Sequence, residues 1–350
     1  MTADNATWSE IGYVPHGPRL ERPFDRRRFP CYAKMRGLSF RAVTDWKDHD
    51  IIVLSPSADV TRWVDAPSDR RIVVDLPDSF PAERRGVRRS FRGLAKWAVG
   101  ESRRPILDYG RAVERLLERA DAVVCGTDEQ VRSVSKHATN VHPILDLHSE
   151  IKVRRPTIND GTSLDIIWEG LPATLPSIQQ VLPALKSLSD RYELRLHLVT
   201  DLRYKLYMNR FRTCLTEDVV GSWGIDVSLH QWSVDTLDEV AAGCDIAIVP
   251  VDLTDPMAAG KPENRMRIFW RLGLPVVVSP SPANARAAAL AGVDREVLCA
   301  TSDDWRRVLE RLYERPDERL GIAEAGQATA LSVYSEESLA SRWDRLFESL

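Results

Sequence analysis

The chain has 350 residues, of which 43% are hydrophobic and 28% charged, the balance of a soluble globular protein rather than a disordered one. This length suffices for two domains of ordinary size. A formal net charge of −3 argues against nucleic-acid binding, which needs a broad basic face. The five cysteines are scattered without a CxxC spacing, so we expect a reducing cytoplasm and neither a disulfide framework nor a zinc site.

The N-terminal sequence lacks the pattern of a secretory signal peptide. No apolar run approaches the ~18 residues that a membrane-spanning helix needs. The sequence therefore predicts a cytoplasmic protein, unless a surface segment holds it at a membrane.

The first half of the chain is expected to form one α/β domain, residues 1–150. Short apolar runs predict strands at 11–14, 51–54, 72–74 and 122–125, and helical patterns separate them. Thr127 is expected to cap a helix whose first turn holds Asp128 and Glu129, where the helix dipole favours anions. Strands that alternate with helices indicate a doubly wound parallel sheet.

A polar stretch with Pro156 and Gly161 predicts a linker over residues 151–162. The strand pattern then restarts and predicts a second α/β domain over 163–330. Its elements are strands at 164–168, 194–199 and 227–229, and helices at 178–188 and 236–242. Helices are also predicted at 303–313, 317–328 and 336–349. Residues 331–350 hold the last of these, which could cross back to the first domain.

The stretch 245–281 contains the closest grouping of candidate ligand-binding residues in the chain. Two β-branched runs, 246–251 and 275–278, flank a helical pattern that Pro262 could begin and Gly273 ends. This reads as a parallel βαβ unit. Lys261, Asn264 and Arg265 cluster at the helix start, where free N–H groups attract anions such as a diphosphate. Ordinary solvated cations at a helix start are the alternative.

Several weak motifs occur in a fixed order over residues 120–350: Trp168–Gly170, Trp232, Gly243–Asp245, Lys261…Asn264–Arg265, Gly273–Val277, Trp305 and Trp343. In this order they resemble the donor-binding half of the GT-B glycosyltransferases, specifically the family 4 (group 1) type. The resemblance implies two tandem Rossmann-like domains with C-terminal helices, a nucleoside-diphosphate-sugar donor, and no other cofactor and no metal. It implies donor contacts from Lys261, Asn264, Arg265 and Gly170, with Arg203 as a further cation.

The sequence departs from family 4 at two positions. Enzymes of this family usually carry two glutamates, at positions that here hold Gly260 and Ile268. The second normally binds the nucleotide ribose, and an apolar side chain cannot. Glu263 is the nearest carboxylate in sequence and could substitute, or it could be an ordinary helix-start anion.

Three residues are candidates for catalysis. His16 follows the first strand, where this fold brings its amino-terminal loop to the reacting sugar. His148, with Asp146, follows the last strand of the first domain, and a histidine near a carboxylate can act as acid or base. Glu169 ends a strand, and its neighbours predict that it is exposed. Each could instead be structural. Asp75 and Asp78, beyond another strand, could orient acceptor hydroxyls or cap helices.

The sequence thus predicts a retaining, metal-independent glycosyltransferase that acts on a glycan or lipid-linked acceptor. Alternatives are a catalytically degenerate binding or scaffold protein and a nucleotide-sugar epimerase. Residues 84–104 hold eight cations against Glu101, several at i, i+4 spacing. This segment predicts contact with an anionic membrane surface, although a solvated helix would show the same pattern.

Overall fold

The computed structural model describes residues 10–76, 97, 102–158, 163–205 and 211–350. The chain divides into two compact units. The first unit comprises Met1–Leu147, Gly260–Pro262 and Glu336–Leu350, and the second comprises His148–Ala259 and Glu263–Ser335.

The first unit is built on a six-stranded parallel sheet, in the order β2-β1-β3-β4-β5-β6. Its central strands are fully buried apolar runs, as expected for parallel strands covered on both faces. The predicted strands at 11–14, 51–54, 72–74 and 122–125 are confirmed, whereas the outer strands Phe40–Ala42 and Val141–Pro143 were missed because they are only three residues long and not fully buried. The strands are β1 Ile11–Val14, β2 Phe40–Ala42, β3 Ile51–Leu54, β4 Arg71–Leu76, β5 Ala122–Cys125 and β6 Val141–Pro143.

Helices complete the first unit. The expected cap of α5 is present, since the Thr127 hydroxyl accepts a hydrogen bond from the Gln130 N–H (3.2 Å). The C-terminal helix, Glu336–Glu348, packs Trp343 and Phe347 against Tyr32, with ring centroids 5.6 and 5.7 Å away. The other helices are α1 Pro23–Arg27, α2 Phe29–Arg36, α3 Val60–Trp63, α4 Tyr109–Arg119 and α5 Asp128–Val134.

The second unit has a five-stranded parallel sheet, in the order β11-β8-β7-β12-β13, and a two-stranded antiparallel ribbon of β9 and β10. The predicted strands of this half are confirmed: those at 164–168, 194–199 and 227–229 are one or two residues longer at their ends, those at 246–251 and 275–278 are two and one residues shorter, and the ribbon was not foreseen. The strands are β7 Leu164–Glu169, β8 Leu194–Thr200, β9 Arg203–Lys205, β10 Phe211–Leu215, β11 Asp226–Gln231, β12 Ile246–Val249 and β13 Val276–Val278.

The helices of the second unit correct two predictions. The helix predicted at 178–188 is a 3₁₀ helix, Pro172–Gln180, with Pro176 inside it, followed by an α-helix. The second helix after β12 begins at Asn264, not at Pro262, and it ends as predicted before Gly273, whose φ is 78°. The α-helices are α6 Leu182–Ser189, α7 Thr216–Val220, α8 Val234–Ala242, α9 Pro256–Ala259, α10 Asn264–Arg271, α11 Pro282–Leu290, α12 Asp294–Val297, α13 Ser302–Glu314 and α14 Pro316–Leu331.

Helix α14 packs closely on α10 at a glycine. A Cβ added at Gly326 would lie 2.3 Å from Cδ1 and Nε1 of Trp270, a fully buried side chain. One turn earlier, a Cβ at Gly321 would meet no atom within 4 Å. Helix α14 is also the longest helix in the described part of the chain, and neither it nor any other described helix has the length and apolarity to cross a membrane.

These two glycines allow a matched test of the packing. We expect Gly326→Ala to lower the free energy of unfolding by about 1–3 kcal/mol, because the new methyl group overpacks the buried indole. Gly321→Ala should raise it by about 0.5–1 kcal/mol, since alanine is the better helix former and has room. Urea denaturation measures both, and a stabilised Gly326→Ala variant would contradict the described contact.

Candidate functional site

The loop after β1 in the first unit is held by one buried carboxylate. Asp25 accepts hydrogen bonds from the backbone N–H groups of His16 (2.7 Å) and Gly17 (2.8 Å) and from the Tyr13 hydroxyl (2.7 Å). His16 is exposed, and its Nδ1 lies 2.8 Å from the Ser57 hydroxyl. The loop therefore presents the His16 ring in a fixed position, and the catalytic role of His16 stays a prediction.

The strand ends of this unit meet at a buried arginine. Arg28 is 1% exposed; it donates to both oxygens of Asp75 (2.5 and 3.1 Å), to the Ile144 carbonyl (2.7 Å) and to Asp146 (3.1 Å). Burial by itself lowers the pKa of Arg28, but the negative charges and hydrogen bonds of Asp75 and Asp146 outweigh burial and raise this pKa above its usual value. Asp75 is 1% exposed and does not face solvent, and Asp78 lies outside the described residues.

Two other sequence candidates, His148 and Lys261, fall in different units. His148 begins the second unit and is 1% exposed, and its carbonyl accepts the Ile151 N–H (2.9 Å) in a turn. Lys261 is exposed and belongs to the segment Gly260–Pro262, which packs in the first unit. There the Gly260 carbonyl accepts from the Thr127 hydroxyl (3.3 Å).

The carboxyl end of β7 in the second unit holds a fixed glutamate. Glu169 is only 9% exposed, so the prediction that it is exposed was wrong. The indole Nε1–H of Trp232, which follows β11, donates to Glu169 Oε1 (2.8 Å). This partner is 63 residues away in sequence, and no local pattern could have revealed it. The indole holds the carboxylate in place, so Glu169 is suited to positioning another group.

A cation, Arg265, lies at the same strand end, where Gly170 follows Glu169. A Cβ at Gly170 would lie 2.8 Å from the Trp168 ring and 2.9 Å from Thr174 Oγ1, so only glycine fits there. Arg265, in the first turn of α10, lies over the Trp168 ring at 5.5 Å, and its Nη2 donates to Thr174 Oγ1 (2.9 Å). Sequence analysis selected Gly170 and Arg265 but missed Thr174.

Arg265 is a cation whose charge is not paired inside the described part of the chain. No ion pair joins it to a carboxylate among those residues, and it keeps most of its five donors beyond the single bond to Thr174. Burial lowers the pKa of this guanidinium, while the negative charge of Glu169 acts in the opposite direction. A half-buried cation at a helix start and at the carboxyl end of a parallel sheet suits an anionic ligand.

Its neighbour Arg267 has the opposite role. Arg267 is buried, donates to Asn264 Oδ1 (3.1 Å) and lies 5.0 Å from the centre of the Tyr334 ring. Glu263 is 8% exposed; burial raises its pKa, and Arg267 and Tyr334 oppose that shift. The side chains of Asn264 and Glu263 are therefore engaged in this internal cluster, although both remain predicted ligand contacts.

The remaining predicted positions are dispersed. Ile268 is 1% exposed in the core, and Arg203 is exposed in β9. Of the basic segment 84–104, only Trp97 and 102–104 are described. Within it, Arg104 pairs with Asp65 (3.1 Å), and the Arg103 N–H donates to Asp59 (2.7 Å).

Comparison with known proteins supports the fold. No protein-family model and no curated protein sequence matches this chain. Among solved structures, Anabaena Alr3699/HepE in complex with UDP-glucose has a TM-score of 0.62 at 12% identity, with 97% of this chain and 100% of that chain covered. TarM has a TM-score of 0.56 at 10% identity, with 85% of this chain but 54% of TarM covered. The E. coli trehalose-6-phosphate structure bound with UDP-2-fluoro glucose gives 0.55 at 10%, covering 86% of this chain and 74% of that one.

These neighbours are GT-B proteins, and so the predicted fold class, two doubly wound parallel-sheet domains with C-terminal helices, is confirmed. At 10 to 12% identity the likeness concerns the fold, and the assignment to family 4 stays a prediction.

Proposed function

We propose that this protein is a glycosyltransferase that moves a sugar from a nucleoside-diphosphate-sugar to a glycan or lipid-linked acceptor, with retention and without a metal. The observation that carries the proposal is Arg265, a half-buried guanidinium with no carboxylate partner among the described residues. It contacts Trp168 and Thr174, the two side chains that also pack closely on Gly170 at the carboxyl end of β7. The UDP and UDP-glucose bound in HepE structures support a nucleotide-sugar donor for the same fold.

In the proposed reaction the protein acts mainly on the leaving diphosphate. Arg265 and the free N–H groups at the start of α10 would stabilise the negative charge that develops when the glycosidic bond breaks. The diphosphate oxygen can then take the proton of the acceptor hydroxyl, so no protein base is required. Glu169, hydrogen-bonded to Trp232, would position rather than react, because its carboxylate is nearly covered.

Release of nucleoside diphosphate tests the reaction class. The purified protein is incubated with UDP-glucose and with other nucleotide sugars, and UDP or its analogue is measured with and without a set of glycan and lipid-linked acceptors. We expect acceptor-dependent release. Release or epimerised sugar without any acceptor would favour the epimerase, and binding without turnover would favour a binding protein.

The cation itself is tested by nucleotide affinity. Arg265→Ala should weaken UDP binding by about 1.5–3 kcal/mol, the range of a charge-assisted hydrogen bond, and Arg265→Lys should recover part of it. Arg295→Ala is the matched control, because Arg295 is an exposed arginine of the same unit with no ion pair in the described structure. Isothermal titration calorimetry measures all four proteins, and equal affinity in Arg265→Ala and parent would refute the assignment.

A binding or scaffold protein is the second candidate, and Ile268 favours it. This side chain occupies the position at which family 4 enzymes carry the ribose-binding glutamate, and it is packed in the core. A chain that lost this contact could keep nucleotide binding through Arg265 and lose turnover. The release experiment separates this candidate from the enzyme.

We also propose that the segment 84–104 binds an anionic membrane surface that carries the acceptor. The support is its sequence: eight cations against one acid, each surface cation contributing about 1 kcal/mol. Co-sedimentation with vesicles of anionic lipid should be strong at low salt and weak at high salt. Arg88→Glu plus Arg92→Glu should abolish it; undiminished sedimentation of that variant would show that other residues are responsible.

A further inference from the structure

The second unit contains a cavity at the opposite end of its sheet from Gly170 and Arg265. Its volume is about 290 Å³, at the small end of the range for ligand pockets. The cavity lies at the amino ends of β12 and β13, because Cys244 and Leu274, which line it, come just before these strands. It is therefore separate from the proposed donor site and independent of the proposed function.

The charges around the cavity are predominantly positive. Nine residues line it, including Arg154 and Arg155 but no carboxylate. The nearby Asp238 accepts from Arg154 (2.5 and 2.7 Å) and from Lys152 (2.9 Å), so one carboxylate serves two cations. Hydrogen bonds from Arg154 hold the pKa of Asp238 at about 2. Arg155 is exposed and has no ion pair within the described residues.

The carbonyl groups at the nearby carboxyl ends of helices do not cancel this positive charge. Helices α8 and α10 end beside the cavity, and bare carbonyl groups there would repel an anion. The carbonyl of Arg271 accepts the Arg154 N–H (2.9 Å), and the Trp270 carbonyl accepts the Gly273 N–H (3.1 Å). At the end of α8, the Val240 carbonyl accepts from the Gly243 N–H (3.1 Å). Protein donors thus cover these carbonyls.

The rest of the lining is apolar and firmly held. Ala241, Leu272 and Leu274 are buried, and burial raises the pKa of the Cys244 thiol, which stays neutral. A Cβ at Gly273 would lie 2.7 Å from the Arg154 carbonyl, so the arginine-bearing wall packs directly on the backbone of the opposite wall. The Gln327 side-chain amide also donates to that carbonyl (2.5 Å). The wall is thereby fixed from two sides.

We propose that this cavity is a binding site for a small amphipathic anion, a phosphate or carboxylate group on a compact apolar body. Arg155 and Thr157 line the cavity, and their guanidinium and hydroxyl groups would bind the anionic group, while Ala241, Leu272 and Leu274 would contact the apolar part. Arginine binds carboxylate and phosphate through two parallel hydrogen bonds, which fits a cation that has no ion pair among the described residues.

Phenyl phosphate is a probe that has both parts of such a ligand. Titration of the full chain, followed by the backbone amide signals of Ala242 and Gly273, should give saturable shifts. Arg155→Ala should weaken this binding at least tenfold, and Arg295→Ala should leave it unchanged. Ala242→Phe, at an exposed position at the end of α8 that lines the cavity, should block binding by filling the space.

Further titrations separate this site from the donor site and test both parts of the ligand. Arg265→Ala should leave the shifts of Ala242 and Gly273 unaltered, because that residue lies at the other end of the sheet. Inorganic phosphate and benzyl alcohol should each bind at least tenfold more weakly than phenyl phosphate. The proposal is overturned if these amides do not shift, if Arg155→Ala binds as tightly as the parent, or if phosphate alone binds equally well.

Discussion

The proposed donor site of the second unit depends on the contact between Arg265 and the Trp168 ring. A guanidinium is costly to bury unless a carboxylate or hydrogen-bond acceptors compensate it. Here the compensation within the described structure is the face of an indole, one threonine hydroxyl and the field of Glu169. A cation compensated in this way gains most from an anion that arrives from outside. The carboxyl end of the sheet is thereby prepared for a negatively charged ligand.

Helix α10 shows how position alone gives two arginines opposite roles. Arg267 points its charge into a cluster with Asn264 and Glu263, and Tyr334 covers it. Arg265, two residues earlier, faces a different side of the helix, where the neighbours are aromatic and hydroxyl groups. The internal cluster fixes the start of the helix, and the helix in turn fixes Arg265. Arg267 therefore contributes to stability, and Arg265 stays available for the proposed ligand.

The sequence predicted those features that depend on local patterns. Buried apolar runs such as 51–54 and 246–251 predicted the parallel strands, the second of which ends at Val249, and Gly273 predicted the end of α10, because these signals need no distant partner. The start of α10 was misplaced by two residues, since Pro262 packs with the first unit. The burial of Glu169 was missed because its hydrogen-bond partner, Trp232, follows a different strand, β11.

The sequence also could not show which cations are already paired. Arg28, Arg154 and Arg265 look alike in a list of charges. In the structure Arg28 is enclosed by Asp75 and Asp146, and Arg154 by Asp238. The partners in these ion pairs are 47, 118 and 84 positions apart in sequence, and no rule based on sequence spacing predicts such pairs.

The burial of Ile268 limits how a nucleotide could be recognised at the proposed site. An apolar side chain in the core offers nothing to ribose hydroxyls, and Glu263, the nearest carboxylate in sequence, is nearly buried beside Arg267. To reach a ribose, Glu263 would have to leave that cation, and an unpaired buried arginine costs several kcal/mol. Binding energy at this site must therefore come chiefly from the diphosphate. The proposed donor site should accordingly discriminate nucleosides less strictly than a site with a ribose-binding glutamate, and the sugar and acceptor contacts would have to supply the specificity.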